Sequence, residues 1–597
     1  MPAVSIVQAA QVNAMQPIVV TASRMAENPA NVSADVTVIT QEEIAASQAS
    51  NVAEILRTQV GLNVSSSGGE GKATSVFIRG GNSGHTLVLI DGVRVGSATL
   101  GSFNWGNLST SAIERIEIVR GPQSSLYGAD AMGGVIQIFT RKGQKGLQTQ
   151  VVAESGTYGT KLYGLGVRGG SENGFTYAFD AETFDTKGFS AASSGTEADP
   201  AKRTTLSTAL SFVSGKMQAD INVRTVDATT ALDGFGPVDA LNYNQNYKQT
   251  VSSIKVTDHV SDRFESSLQY SRSTDDAITT DPLVTWNNSD YKTTINQFSW
   301  QNNYELNDAT VILGYDYHKD AGVSKSAKLD KAITQKALYV SIAAENKNMG
   351  WNVSARKDNN STSDNKTTYK LGTIWHASQN FNLSGNYGTG FKAPSINDLF
   401  SPFGGNSNLK SESSKGWDIG ATYLTQMDTL KSKFSIVWFS QKYTDLIVWK
   451  PIAPGSFSYS PKNVNQARSK GVELIADMSG EAGFVRANWT KLNATDTATG
   501  LWLARRAQQN GTLTLGTDVS DLHIEADMAW VGKRYSDPDN TKLMQAYKKT
   551  NVRLSYAFAE TWKLKFRVEN LFDKSYEEVA GYGVAGRSTY TGVTATF

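Results

Sequence analysis

Over 597 residues the chain sets 57 lysines and arginines against 56 aspartates and glutamates, so a net charge of +1 leaves no electrostatic case for nucleic acid. It has no cysteine, which removes disulfides, thiolate-bound zinc and thiol catalysis. Mean hydropathy is −0.34 and no window approaches the ~18 apolar residues of a membrane helix, which excludes a helical membrane protein but leaves open a barrel, whose strands signal weakly.

The length is too great for one compact core, so two domains or one large closed architecture are expected. The first stretch, "MPAVSIVQAAQVNA", lacks a basic start and a full apolar run. Its small-residue ending resembles the tail of a signal peptide, and residues 1–16 read equally as a polar N-terminal extension. Pro17 to Ala22 has high β-propensity, but Glu27, Asn28 and Pro29 suit a turn better than a partner strand. This strand is expected to pair with nothing in its own chain.

In "TQEEIAASQASNVAEILRTQVG", Thr40 is a helix N-cap with Glu43 as its capping-box partner, and two short helices end near Gly61. Compact apolar strands follow in "SVFIRG", "TLVLIDGVRV", "IERIEIVRG" and "GGVIQIFTRK". Residues 25–142 therefore read as a small mixed α/β domain with a buried sheet.

From residue 143 to 597 the hydrophobic period becomes two. In "DLHIEADMAW", Leu522, Ile524, Ala526, Met528 and Trp530 share one face, and Asp521, His523, Glu525 and Asp527 the other. Trp562, Leu564, Phe566 and Val568 alternate with Lys563, Lys565, Arg567 and Glu569 in the same way. Full charges on one face, strand after strand, suit a transmembrane barrel with lipid outside and water inside. At ~10 residues per crossing both sixteen and twenty-two strands fit. A separate N-terminal domain favours twenty-two, since barrels of that size carry a plug in the lumen.

"PIVVTASR", "FIRGGNSGHTLVLIDGVRV" and "IERIEIVRGPQSSLYGADAMGGVIQIFTRK" resemble the plug of TonB-dependent outer-membrane receptors. "NSNLKSESSKGWDIG", "NVNQARSKGVELIAD" and "VENLFDKSYEE" resemble barrel motifs of the same family, and "LARRAQQ" and "GYGVAGRSTY" resemble its cobalamin (vitamin B12) receptors. The resemblance implies a monomer in the outer membrane of a Gram-negative cell, importing cobalamin or a related corrinoid. It also implies that Pro17, Ile18, Val19, Val20, Thr21 and Ala22 form the Ton box, the strand grasped by the periplasmic energy-coupling protein TonB through β-augmentation.

Further roles come with the same resemblance. Arg79 and Arg120 would pair the plug with Asp418 and Glu473 on the barrel wall, Asp418 standing where glutamate is usual. Ala73, Ser75, Asn82, Leu100 and Gly101, with Arg505 from the barrel, would contact substrate. Glu197, Asp199, Asp233 and Asp239 match loop positions that hold calcium in cobalamin receptors, although Ser190 replaces a ligand aspartate. No cofactor is expected beyond that ion. A ferric siderophore or haem receptor on the same scaffold is the second reading; it would favour clustered cations, and Lys72 is the one cation in the first apical loop. A passive porin or adhesin is the third, against which a Ton box and plug both argue.

Two motifs are set aside. "GYGVAG" satisfies G-x-G-x-x-G but opens no helix, so it reads as a glycine-rich turn. The five histidines form no ligand spacing, and neither G-x-S-x-G nor H-E-x-x-H occurs, so no enzyme is expected.

Overall fold

The computed structural model describes residues 19–597 apart from 235, 237 and 454. Alternation of lipid-facing and lumen-facing residues builds a closed barrel of twenty-two antiparallel strands. It begins at Gly146–Gly156 and closes when the last strand, Ser588–Thr596, pairs with the first. The expected faces separate cleanly. Trp562, Leu564 and Phe566 are exposed to the surroundings of the wall, whereas Arg567 is buried inside beside Glu154 and Glu569. Glu525 and Asp527 likewise turn into the lumen, where Arg553 pairs with both.

The lumen is filled by a plug built on a mixed five-stranded sheet. Its strands run in the order Val36–Ile39, Ile113–Arg120, Gly134–Thr140, Thr86–Ile90, Val93–Val95, and only the third and fourth pair in parallel. A hairpin of Leu62–Ser66 and Thr74–Ile78 lies beside it. Two short helices cover the sheet, Gln41–Ser47 and Val52–Leu56. Thr40 and Glu43 make the reciprocal capping box at the start of the first, and Asn51 caps the second. Ile44, Val52, Ile55 and Leu56 meet Ile116, Ile118, Ile136 and Ile138 in one apolar core. The plug is therefore a small folded domain, and its remaining surface must be matched to a lumen lined with charge.

Candidate functional site

Three regions carry chemistry: the lower edge of the plug, its ionic contact with the wall, and its outer face. At the lower edge Pro17 and Ile18 lie outside the described residues, and Val19 to Ala22 do not stand free. Val19 and Glu27 exchange two backbone hydrogen bonds of 2.9 Å. The amides of Val20 and Thr21 donate to one oxygen of Glu117, at 2.9 and 2.8 Å, and Thr21 Oγ1 donates to it at 2.7 Å. The Tyr127 hydroxyl donates to the Thr21 carbonyl at 3.0 Å. Val19 and Thr21 are wholly buried. Arg24 then ties the segment to the wall through Asp316 at 3.1 Å and the Tyr339 hydroxyl at 2.6 Å. The expected unpartnered strand is thus docked on its own plug. The cause is a carboxylate buried in the middle of the sheet strand "IERIEIVR", which needs donors and takes them from this segment.

Arg79 sits at the end of the strand Thr74–Ile78 and is 2% exposed. Its guanidinium meets Glu473 through two bonds, Nε to Oε1 at 3.0 Å and Nη2 to Oε2 at 2.7 Å, and reaches Asp418 at 3.4 Å. Asp418 is the more distant partner, as its shorter side chain requires, and its other oxygen accepts from Asn386 at 2.9 Å. Arg120 behaves differently from the sequence expectation. Its hydrogen bonds stay within the plug, to Asp35 at 3.2 Å, Thr37 Oγ1 at 2.8 Å and the Val60 carbonyl at 2.9 Å. Asp35, unmarked by any motif, joins the two arginines by also meeting Arg79 at 2.5 Å.

On the outer face Ala73 and Asn82 are exposed, Ser75 and Gly101 partly so, and Leu100 is 65% exposed. Gly101 adopts φ +67, and a Cβ there would stand 2.7 Å from Lys392 Nζ. The loop at Asn82 packs on the loop at Gly101, since a Cβ on Gly84 would meet the Gly101 carbonyl at 2.4 Å. Arg505 is half-buried at φ +65, and its amide donates to the Tyr535 carbonyl. Its neighbour Arg506 is the residue that holds the apex: it donates to Asn82 Oδ1 at 2.5 Å and to the Gly81 carbonyl at 3.1 Å, and stacks on Phe77. His85 is a second residue the sequence does not single out. Its Nδ1 accepts from the Asn82 amide at 3.1 Å, so Nε2 carries the proton and donates to Glu412 at 2.8 Å.

Above the plug, carboxylate oxygens of Glu197, Asp233 and Asp239 lie within 4.8 Å of one another. Asp233 accepts from the amides of Ala192 and Ala240, and Asp239 from that of Thr196. Ser190 Oγ stands 3.2 Å from Asp239. Glu197 Oε1 is buried with no hydrogen-bond partner, and its carboxyl is pushed up to about 7 by burial and by the adjacent Asp239 and Asp233. An orphaned oxygen beside two more carboxylates is a donor set that fits a hard cation. Asp199 falls outside the trio; it accepts from the Ala191 amide at 2.6 Å and faces Lys72 at 3.9 Å. Lys72 is 2% exposed and also donates to the Ala231 carbonyl, and burial pulls its ammonium down to about 8. The single cation of the first apical loop is therefore turned away from the outer cavity.

The chain matches the family of TonB-dependent receptor plug domains over residues 28–135 and the TonB-dependent receptor-like β-barrel over residues 137–571. It is 30% identical over 593 residues to the vitamin B12 transporter BtuB of Photobacterium profundum, covering 97% of this chain and 95% of that one. The BtuB of Vibrio vulnificus is 30% identical over 617 residues, covering 97% and 94%. Among solved structures, the siderophore receptor PirA of Acinetobacter baumannii superposes with a TM-score of 0.82 at 16% identity, covering 94% of this chain and 98% of that one. The ferric enterobactin receptor PfeA of Pseudomonas aeruginosa gives 0.79 at 19%, with 94% and 98% covered. At such identities the last two speak for the fold alone.

The ionic contact orders two substitutions. Arg79→Ala leaves Glu473 and Asp418 buried without their cation, whereas Arg120→Ala spares both wall pairs. Conductance of the purified protein in planar bilayers is expected to rise for Arg79→Ala and to rise less for Arg120→Ala. Equal conductance of Arg79→Ala and the parent protein would reduce the contact to an incidental ion pair.

Proposed function

The chain belongs to the TonB-dependent receptors of the Gram-negative outer membrane, and on that premise we propose that it imports cobalamin or a related corrinoid. Proteins of this family are transporters and receptors rather than enzymes. Near full-length similarity to two vitamin B12 transporters supports the substrate. The observation that carries the reading is the withdrawal of Lys72. With that ammonium committed to Ala231 and Asp199, the face offered by Ala73, Ser75, Asn82, Leu100 and Gly101 is small and neutral, and Arg505 is the one cation among the proposed contacts. A large, nearly neutral corrinoid is recognised by shape and hydrogen bonding, and such a surface suits it. An anionic ferric siderophore would call for clustered cations.

Work is drawn from TonB through residues 17–22. β-Augmentation needs free main-chain donors, and those of Val20 and Thr21 are held by Glu117. TonB and Glu117 therefore compete for the same two amides, and import requires the segment to leave the plug. Glu197, Asp233 and Asp239 would hold a calcium ion, which supplies charge neutralisation and so orders the two loops over the outer cavity. Asp199 stays paired with Lys72 and buttresses the group from behind.

Cyanocobalamin is expected to bind the purified receptor with an affinity that changes little with salt, because long-range charge steering contributes little to a neutral ligand. Gly101→Trp is expected to abolish binding with the barrel still folded. Tighter binding of a ferric siderophore, weakening steeply as salt rises, would replace the corrinoid reading with its rival.

Val19→Pro removes a donor that strand addition needs, so transport of labelled cyanocobalamin should fall to background while surface binding persists. Uptake at the parent rate would sink the assignment of the handle.

Calcium must displace the proton that burial and the adjacent Asp239 and Asp233 favour on Glu197, whose carboxyl is pushed up to about 7. Calcium enhancement of cyanocobalamin affinity is therefore expected to be strong at pH 8 and to fade as the pH drops towards 6. Affinity indifferent to chelator at pH 8 would remove the ion from this account.

A further inference from the structure

On the outside of the wall, four consecutive strands carry a concentration of positive charge that the import function leaves unused. The strands are Glu412–Met427, Leu430–Pro451, Tyr459–Gly480 and Gly483–Asp496. Going up each towards the cell exterior, the outward face passes from an apolar residue to a cation. Trp417 gives way to Lys415, and Trp438, through Ser440, to Lys442. Val472 gives way to Lys470 and then Arg468, and Trp489 to Lys491. All five cations are exposed and alternate with buried lumen-facing neighbours.

Their register makes the cluster costly. Lys415 is directly opposite Lys442, and Lys442 directly opposite Arg468. Facing side chains on neighbouring strands start about 5 Å apart, where like charges destabilise a sheet. Among the described residues no acid forms an ion pair with any of the five, and the nearby Glu412, Asp418 and Glu473 are buried on the lumen side. Asp445, at the bulge above, forms no ion pair with any of the five among the described residues. Beside Lys415 and Lys442, a groove of about 600 Å³ is lined by Trp417, Trp438, Arg468, Lys470 and Lys491 and, at its other end, by Trp502 and Arg506.

We propose that this patch binds the phosphate-bearing headgroup of a lipid in the outer leaflet. Charge complementarity and place both point to it. The cations lie at the upper limit of the apolar band, where headgroups meet the wall, and long lysine and arginine stems reach from apolar surface to that level. A phosphate set between Lys415, Lys442 and Arg468 turns three repulsive facing charges into charge-assisted contacts. Acyl chains then lie along Trp417 and Trp438, with Lys470 and Lys491 closing the groove from the side.

The test uses the full-length receptor in nanodiscs of zwitterionic lipid doped with a diphosphorylated glycolipid, lipid A, or with its dephosphorylated form. Lipid retained after mild detergent extraction is read by native mass spectrometry. The parent protein is expected to keep lipid A about tenfold or more over the combined variant Lys415→Gln, Lys442→Gln, Arg468→Gln, and over the dephosphorylated lipid. A control variant with Lys319→Gln, Lys336→Gln and Lys357→Gln, outward residues of other strands, should retain it like the parent. Ten-millimolar inorganic phosphate should not displace the lipid; full displacement would overturn the lipid as occupant in favour of free phosphate. In undoped zwitterionic nanodiscs the cluster variant should be at least as heat-stable as the parent, since it has lost the repulsion. Equal retention by parent and cluster variant, or equal loss in the control variant, overturns the proposal.

Discussion

A carboxylate on the inner wall of a barrel cannot be left alone once a plug excludes water from it. That constraint governs the seating of this plug. Glu473 and Asp418 project from neighbouring regions of the wall, and Arg79 comes to them from the end of a plug strand, buried and fully bonded. Removing one partner of such a group costs roughly 3–5 kcal/mol, far more than a surface pair contributes. Yet charged contacts can be replaced by water as they part, which an equally large apolar interface could not do. The plug is held by interactions that are specific when dry and replaceable when wet.

Asp35 and Asn386 extend this logic. Asp35 links Arg79 to Arg120, so the wall contact is continuous with the packing of the plug sheet. Asn386 bonds both Asp418 and the Ser33 carbonyl, so the wall carboxylate is oriented by a residue that also touches the plug. At the top of the lumen, His85 couples the Asn82 loop to Glu412 on the wall by a bond whose direction is set by the backbone. The Asn82 loop is thereby tied directly to a barrel strand.

How far the sequence could be read follows from the range of each interaction. Alternation at Trp562 to Glu569 is local, so the wall and its two faces are legible from a dozen residues. The capping box of Thr40 and Glu43 is equally local and is present as read. Strand number is not local: length admits sixteen or twenty-two, and the plug motifs alone tip the balance to the twenty-two found. Lys72 reads as an apical cation in its own loop, and only a carbonyl and a carboxylate more than a hundred residues away turn it inward. The docking of Thr21 on Glu117 is hidden for the same reason, the two lying 96 positions apart. Arg506 stands next to Arg505, and nothing in "LARRAQQ" tells which of the two arginines faces the plug.

Three donors share one oxygen of Glu117, while Arg115 occupies the other at 2.9 Å. No donor can leave without weakening the reason for the others to stay, because the oxygen they abandon is buried and charged. Departure of residues 19–22 would consequently be concerted, since the three donors come from the adjacent Val20 and Thr21 and part from one buried oxygen together. The lower end of the plug is built in the manner of a fuse: one buried oxygen holds the whole link.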